Sequence, residues 1–140
     1  MTAIATAVQF ATDRDHQRRT LSRQRAERLL RLAESLPAGD RALLKQVFEH
    51  GQSAAEIARL AQQNPQTVRR RVRQLLRRVE SPMYRFVAGH LDMLPRELQP
   101  TARRHILEGL SLRQTALATG QTLHRVRRHR QSIETMSRFL

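Results

Sequence analysis

The stretch Ser53–Val79, SAAEIARLAQQNPQTVRRRVRQLLRRV, decides how this chain is read. Its first part has short apolar periodicity, and its second carries Arg69, Arg70, Arg71, Arg73, Arg77 and Arg78. Ser53 with Glu56 three positions on has the spacing of a capping box, so a helix starts there and turns Ile57, Ala58 and Ala61 inward. Asn64 followed by Pro65 is a cap followed by a residue suited to a first helical turn, so a second helix begins after a short break. Along it Val68, Val72, Leu75, Leu76 and Val79 fall at i, i+4, i+7, i+8 and i+11, one apolar stripe, which leaves the arginines outside. Two short helices joined by a tight turn, the second with a basic free face, predict a helix-turn-helix. Ala58 supplies the small residue where the helices touch and Val68 the branched one behind the recognition helix. At the middle position, where such motifs place glycine, this chain has Gln62.

Working outward, Leu36-Pro37-Ala38-Gly39 is a breaker cluster that ends a helix expected from about Arg18 to Ser35, with Leu29, Leu30, Leu32, Ala33 and Leu36 on its buried side. Asp40 is placed to cap the next helix, where Leu43, Leu44, Val47 and Phe48 share a face before Gly51 supplies the C-terminal turn. Downstream, Ser81-Pro82 caps and opens a connecting helix, MYRFVAGHLDML, whose Met83, Phe86, Val87, His90, Leu91 and Leu94 can pack between neighbouring units. Helical periodicity runs throughout and strand alternation is absent, so the expected fold class is all-α.

A shift of 58 positions superposes the second half on the first without a gap. Leu36-Pro37 falls on Leu94-Pro95, Gly51 on Gly109, Ser53 on Ser111, Ala58 on Ala116, Val68 on Val126, and Arg69-Arg70 on Arg127-Arg128. The chain contains an internal repeat. In the second copy Ala116, Gly120 and Val126 give the full small-glycine-branched pattern, Ser111 with Gln114 repeats the capping box, and Thr122 replaces Asn64. Leu43 and Leu44 become Thr101 and Ala102, and Val72 becomes Arg130, so the second unit has the poorer core and is expected to lean on the first. The organisation read from this is a basic N-terminal helix or arm over 1–35, a first helix-turn-helix over 36–80, and a connecting helix with a second helix-turn-helix over 81–140.

Whole-chain numbers point the same way. At 140 residues this is one domain or two very small ones. Twenty-six basic residues against twelve acidic give a net charge of +14, and all the basic residues but Lys45 are arginine. Such an excess favours a polyanion, and the guanidinium fork matches phosphate and the guanine edge. Nucleic acid leads, with an anionic membrane surface as the weaker rival. The absence of cysteine excludes disulfides, thiolate zinc sites and cysteine nucleophiles. The opening MTAIATAVQFATDRD lacks a basic n-region, and no apolar run reaches membrane-spanning length, so a cytoplasmic location is expected.

The segment LPAGDRALLKQVFEHGQSAAEIARLAQQNPQTVRRRVRQLLRRV resembles region 4 of sigma-70-type RNA polymerase sigma factors, the helix-turn-helix that reads the −35 promoter element. The resemblance is carried by the Leu-Pro opening, the Phe48 helix, the Gly-x-Ser turn, Glu56-Ile57-Ala58 and Thr67-Val68-Arg69. The second copy, LEGLSLRQTALATGQTLHRVRRHRQSI, is similar to the same superfamily and equally to the response-regulator type of helix-turn-helix. Nothing resembles region 2, the aromatic-bearing domain that opens promoter DNA; one tyrosine, four phenylalanines and no tryptophan make a strand-melting surface hard to build. The resemblance implies a bacterial or phage regulator made of two region 4-like modules rather than a working sigma factor.

The DNA-contact candidates are Asn64, Gln66, Thr67, Arg69, Arg70 and Arg73 at the start of the first recognition helix, and Thr122, His124, Arg125, Arg127 and Arg128 in the second. Ser53, Ser111 and Arg113 are candidates for phosphate contact at the supporting helices, where pure capping by the serines is the competing reading. Arg18, Arg19, Arg23, Arg25 and Arg28 are read either as a phosphate-touching arm or as a solvated helix face. His124 and His129 are five positions apart and turn to different faces, so no metal site is expected; no nucleophile elbow, glycine loop or paired acid stands out. The expectation is therefore a sequence-specific double-stranded DNA-binding transcription regulator, without enzymatic activity or cofactor. Two alternatives stand beside it: a DNA-processing or packaging accessory acting in a multimer, and a mimic of sigma region 4 that binds RNA polymerase or an anti-sigma partner. Homo-oligomerisation is left open.

Overall fold

A computed structural model describes residues 22–140, so Arg18 and Arg19 of the basic arm lie outside the described residues. Among the described residues the chain is all-α, with eight helices and no strand. Helix α1 covers residues 22–33, then α2 Ala38–Phe48, α3 Ala54–Leu60, α4 Pro65–Glu80, α5 Pro82–His90, α6 Gln99–Thr101, α7 Leu112–Thr119 and α8 Leu123–Phe139. Helices α2 to α4 form the first helix-turn-helix unit; α6, a π-helical segment Ala102–Leu107, α7 and α8 form the second.

The repeat is written in the backbone. Gly51 and Gly109 both take positive φ, 64° and 78°, and the residue after each closes the turn by donating six positions back: Gln52 to the Gln46 carbonyl at 2.9 Å, Leu110 to the Arg104 carbonyl at 3.0 Å. These closures satisfy carbonyls that a helix end would leave unpaired. Ser53 and Ser111 cap α3 and α7, each accepting from the N–H three positions on at 3.2 and 3.1 Å. The full reciprocal capping box exists only at Ser111, where the Gln114 side chain accepts from the Ser111 N–H at 2.9 Å. At Ser53 only the hydroxyl half of the expected box is present.

Several expectations are corrected. Asp40 does not cap α2: the helix starts earlier, at Ala38 behind Pro37, and Asp40 sits in its first turn with its carboxylate turned toward α4. Ala61 is exposed, because α3 ends at Leu60 and Ala61 already belongs to the turn. His90 is also exposed; the connecting helix buries Phe86 and Val87 as expected, and Tyr84 in addition. The counterpart of α2 is not one regular helix. Pro100 has no N–H to give to the Arg96 carbonyl, and the chain enters as a 3-10 turn, Arg96–Leu98, before α6 and the π segment.

One apolar core joins the units. Leu29, Ala33 and Leu36 from the α1 side, Leu44 of α2, Leu75 and Val79 of α4, and Phe86 and Val87 of α5 pack with Ala102, Ile106, Leu107 and Ile133 of the second unit. A second, small cluster of Ile57, Ala58 and Val68 fills the first helix-turn-helix. Its counterparts are more polar: Thr115 stands for Ile57, His105 for Val47 and Arg130 for Val72. Thr115 is fully buried and satisfied by donating to the Ser111 carbonyl at 2.8 Å, whereas the buried Thr101 hydroxyl has no partner. The second unit therefore relies on the common core, as its sequence leads one to expect.

Candidate nucleic-acid interface

The turn between α3 and α4 sets the angle at which α4 is presented. Gln62 lies there at φ 54°, the only non-glycine residue with positive φ among the described residues; its counterpart Gly120 lies at φ 68°. The next residue closes both turns alike: Gln63 donates to the Ala58 carbonyl at 2.8 Å and Gln121 to the Ala116 carbonyl at 3.1 Å. Gln62 therefore holds the conformation that glycine adopts freely, and the motif geometry is kept despite the sequence departure.

Helices α4 and α8 each start on a capped first turn. The Asn64 side chain accepts from the Gln66 N–H at 2.9 Å, and Thr122 from the Arg125 N–H at 3.1 Å. Val68, Leu75 and Val79 are buried along α4, as are Val126 and Ile133 along α8. The period of 3.6 then forces Gln66, Thr67, Arg69, Arg70 and Arg73 outward, and likewise His124, Arg125, Arg127 and Arg128; all nine are exposed. Asn64, Thr122, Ser53 and Ser111 are exposed too, but their side-chain oxygens are engaged as caps. Arg113 is exposed in the first turn of α7.

Ion pairing sorts the arginines. Among the described residues Arg69, Arg70, Arg73, Arg113, Arg125, Arg127 and Arg128 form no salt bridge. Arg71 instead turns back and grips Asp40, with Nη2 at 2.6 Å and Nε at 3.2 Å, and Arg78 lies 3.9 Å from the same carboxylate. Arg130 pairs with Glu134 at 3.6 Å, and Arg25 of the basic arm with Glu80 at 2.8 Å. Neither α4 nor α8 has an acid in its first turn, so the positive helix end adds to the unpaired guanidinium groups. The resulting surface can hold phosphates and present forked donors.

Sequence reading missed the pairing of Arg71 and Arg78 with protein partners, treating the run as one solvated face. The signal was available: Arg71 and Arg78 are seven apart and border the stripe of Val68, Val72, Leu75 and Val79. Tyr84 was also missed; it is fully buried and its hydroxyl donates to the Leu32 carbonyl at 2.6 Å, tying α5 to α1. Burial pushes its hydroxyl up to about 12, against the opposing pull of Arg78. Burial likewise holds His105 and His129 below the usual histidine value, helped by Arg130 at the first and by Arg125 and Arg128 at the second. No described helix is long and apolar enough to cross a membrane. Searches against protein families, curated proteins and solved structures found no match to the chain.

Proposed function

We propose that this protein is a sequence-specific double-stranded DNA-binding transcription regulator that reads the major groove with α4 and α8. The observation that carries the reading is the sorting of arginines within one helix. Arg71 and Arg78 are tied to protein partners, while Arg69, Arg70 and Arg73, on the same α4, are exposed without an ion pair. A merely soluble basic face would not need a capped turn held by a residue in the left-handed region, repeated 58 positions on. In this reading Gln66, Thr67, Arg70 and Arg73 face base edges with Asn64 at the helix start, His124, Arg125 and Arg128 do so in the second unit after Thr122, and Arg69, Arg127 and Arg113 lie toward phosphates. The caps Ser53 and Ser111 offer helix N-terminal amides to the backbone.

The resemblance to sigma region 4 is consistent with this role and extends it to RNA polymerase as a partner at a promoter, in a cytoplasmic protein without a catalytic activity of its own. With two readers in one chain, the site should hold two unlike half-sites about ten base pairs, or 34 Å, apart, because Gln66-Thr67 and His124-Arg125 present different chemistry. A homodimer would instead select a palindrome. The test is a mobility-shift assay on random duplex followed by selection of the retained DNA. With about eight phosphate contacts, log K should fall against log salt with a slope of about −7. Binding that hardly responds to salt, or retained DNA without a shared sequence, would overturn the reading.

A further inference from the structure

The repeat is broken at one polar cluster, and the break lies where the two units meet. In the first unit Asp40 receives Arg71 and faces Arg78. Arg78 then crosses to the second unit, donating from Nη1 to the Glu108 carbonyl at 3.2 Å, with its guanidinium filling the space beside Gly109 where a Cβ would collide with it. Gly109 lies at φ 78°, which favours glycine there, and the bare backbone leaves room for the Arg78 guanidinium to lie against it. Its repeat counterpart Gly51 has nothing within 4 Å of the corresponding position. The Arg78 side chain is only 26% exposed, so this contact is largely shielded from water.

The residues of this cluster are not repeated. Fifty-eight positions on, Asp40, Arg71 and Arg78 become Leu98, His129 and Met136, none of which can rebuild the ion pairs. Asp40, Arg71 and Arg78 are therefore not requirements of the helix-turn-helix as such. They belong to the junction, and Arg78 is the member that reaches across it.

We propose that Arg78 is a positioning residue that fixes the second unit's orientation relative to α4 and so sets the spacing of the two DNA half-sites. The inference rests on the tandem reading above. Apolar burial of Leu75, Val79, Phe86 and Ile133 holds the halves together but is non-directional. Arg78 Nη1 donates to the Glu108 carbonyl of the second unit while lying 3.9 Å from the Asp40 carboxylate of the first, and a hydrogen bond, unlike apolar burial, has a direction. The same rigid helix carries the reading residues in its first turns and Arg78 in its last, so the strut acts on the reader directly.

The chain has no cysteine, so Gln74→Cys and Ser132→Cys, exposed and equivalent in the repeat, give the only two attachment points for spin labels. The distance between them should be single and narrow in the parent, and shifted or broadened by Arg78→Met, which installs the residue found at 136. On the selected DNA, one base pair added between the half-sites should weaken the parent by about tenfold and the Arg78→Met variant markedly less. Circular dichroism reports whether Arg78→Met folds. If it does not, Arg78→Lys, which keeps a positive charge but ends one bond short of the Nη1 that donates to the Glu108 carbonyl, carries the same expectations. An unchanged distance distribution in a folded Arg78 variant overturns the proposal. Absence of DNA binding by the parent overturns the tandem reading instead, and the label distance still decides what Arg78 does.

Discussion

Gln62 and Gly120 hold the same turn 58 positions apart, at φ 54° and 68°. A side chain in the left-handed region costs about 1–2 kcal/mol, partly offset by the smaller entropy that glutamine loses on folding. Gln62→Gly is therefore expected to stabilise the protein by about 0.5–1 kcal/mol, and Gly120→Ala to destabilise it by about 1 kcal/mol or more. Urea midpoints of the two variants check this; a destabilised Gln62→Gly would mean that the Gln62 side chain makes a compensating contact.

The outward arginines of α4 should divide by what they touch. If Arg70 and Arg73 fork onto guanine, Arg70→Ala and Arg73→Ala each cost about 1–3 kcal/mol on the selected site and little on random duplex. Equal losses on both DNAs would reassign the residue to the phosphate backbone. Arg71→Ala offers a contrast, because its partner is Asp40: its main effect should be on stability.

Tyr84 should give the protein an alkaline limit. Its folded pKa of about 12 lies above the unfolded value of 10.0, so the neutral hydroxyl is favoured by folding. Its stabilisation is complete below pH 10.0 and is lost as pH rises toward about 12. Tyr84→Phe removes this dependence and, by leaving the Leu32 carbonyl only the longer 3.4 Å bond from the Ser35 N–H, costs about 1 kcal/mol at neutral pH. Denaturation curves at pH 8 to 11 distinguish parent from variant.

His105 works in the opposite direction. Its Nδ1 lies 2.7 Å from the Leu110 carbonyl, and burial with Arg130 nearby keeps its folded pKa below 6.5. The stabilisation is present above 6.5 and lost as pH falls through the folded value, because the unfolded chain takes up the proton first. His105→Val, which restores the residue type of Val47, should flatten part of the fall in stability below neutrality, and His129, shifted in the same direction, contributes to what persists. A variant as acid-sensitive as the parent would exclude His105 as a source.

Much of this architecture was legible in the sequence because its signals are local. Pro65 and Pro82 mark helix starts, Gly51, Gly109 and Gly120 mark left-handed turns, and the Val68 stripe divides α4 into inner and outer faces. The outward placement of Gln66, Thr67, Arg69, Arg70 and Arg73 follows from that stripe, and that of His124, Arg125, Arg127 and Arg128 from Val126 and Ile133 on α8. What escaped depends on contacts distant in sequence. Asp40 looked like a cap because capping is a local pattern, whereas its actual partner, Arg71, is 31 positions away. Tyr84 looked like a polar member of a connecting helix because its acceptor, Leu32, is 52 positions away. The π segment over Ala102–Leu107 likewise has only one local warning, Pro100.

The core that runs from Leu29 through Leu75 and Val79 to Ile133 has a consequence for how the molecule comes apart. Thr101, His105, Thr115 and Arg130 stand in the second half where the first has apolar residues, and the first half, cut after Glu80, would lose the α5 and α8 members of the cluster that Leu75 and Val79 belong to. Neither half is a spare part. Melting should accordingly be a single transition, and the order of α4 and α8 should be lost together rather than in turn.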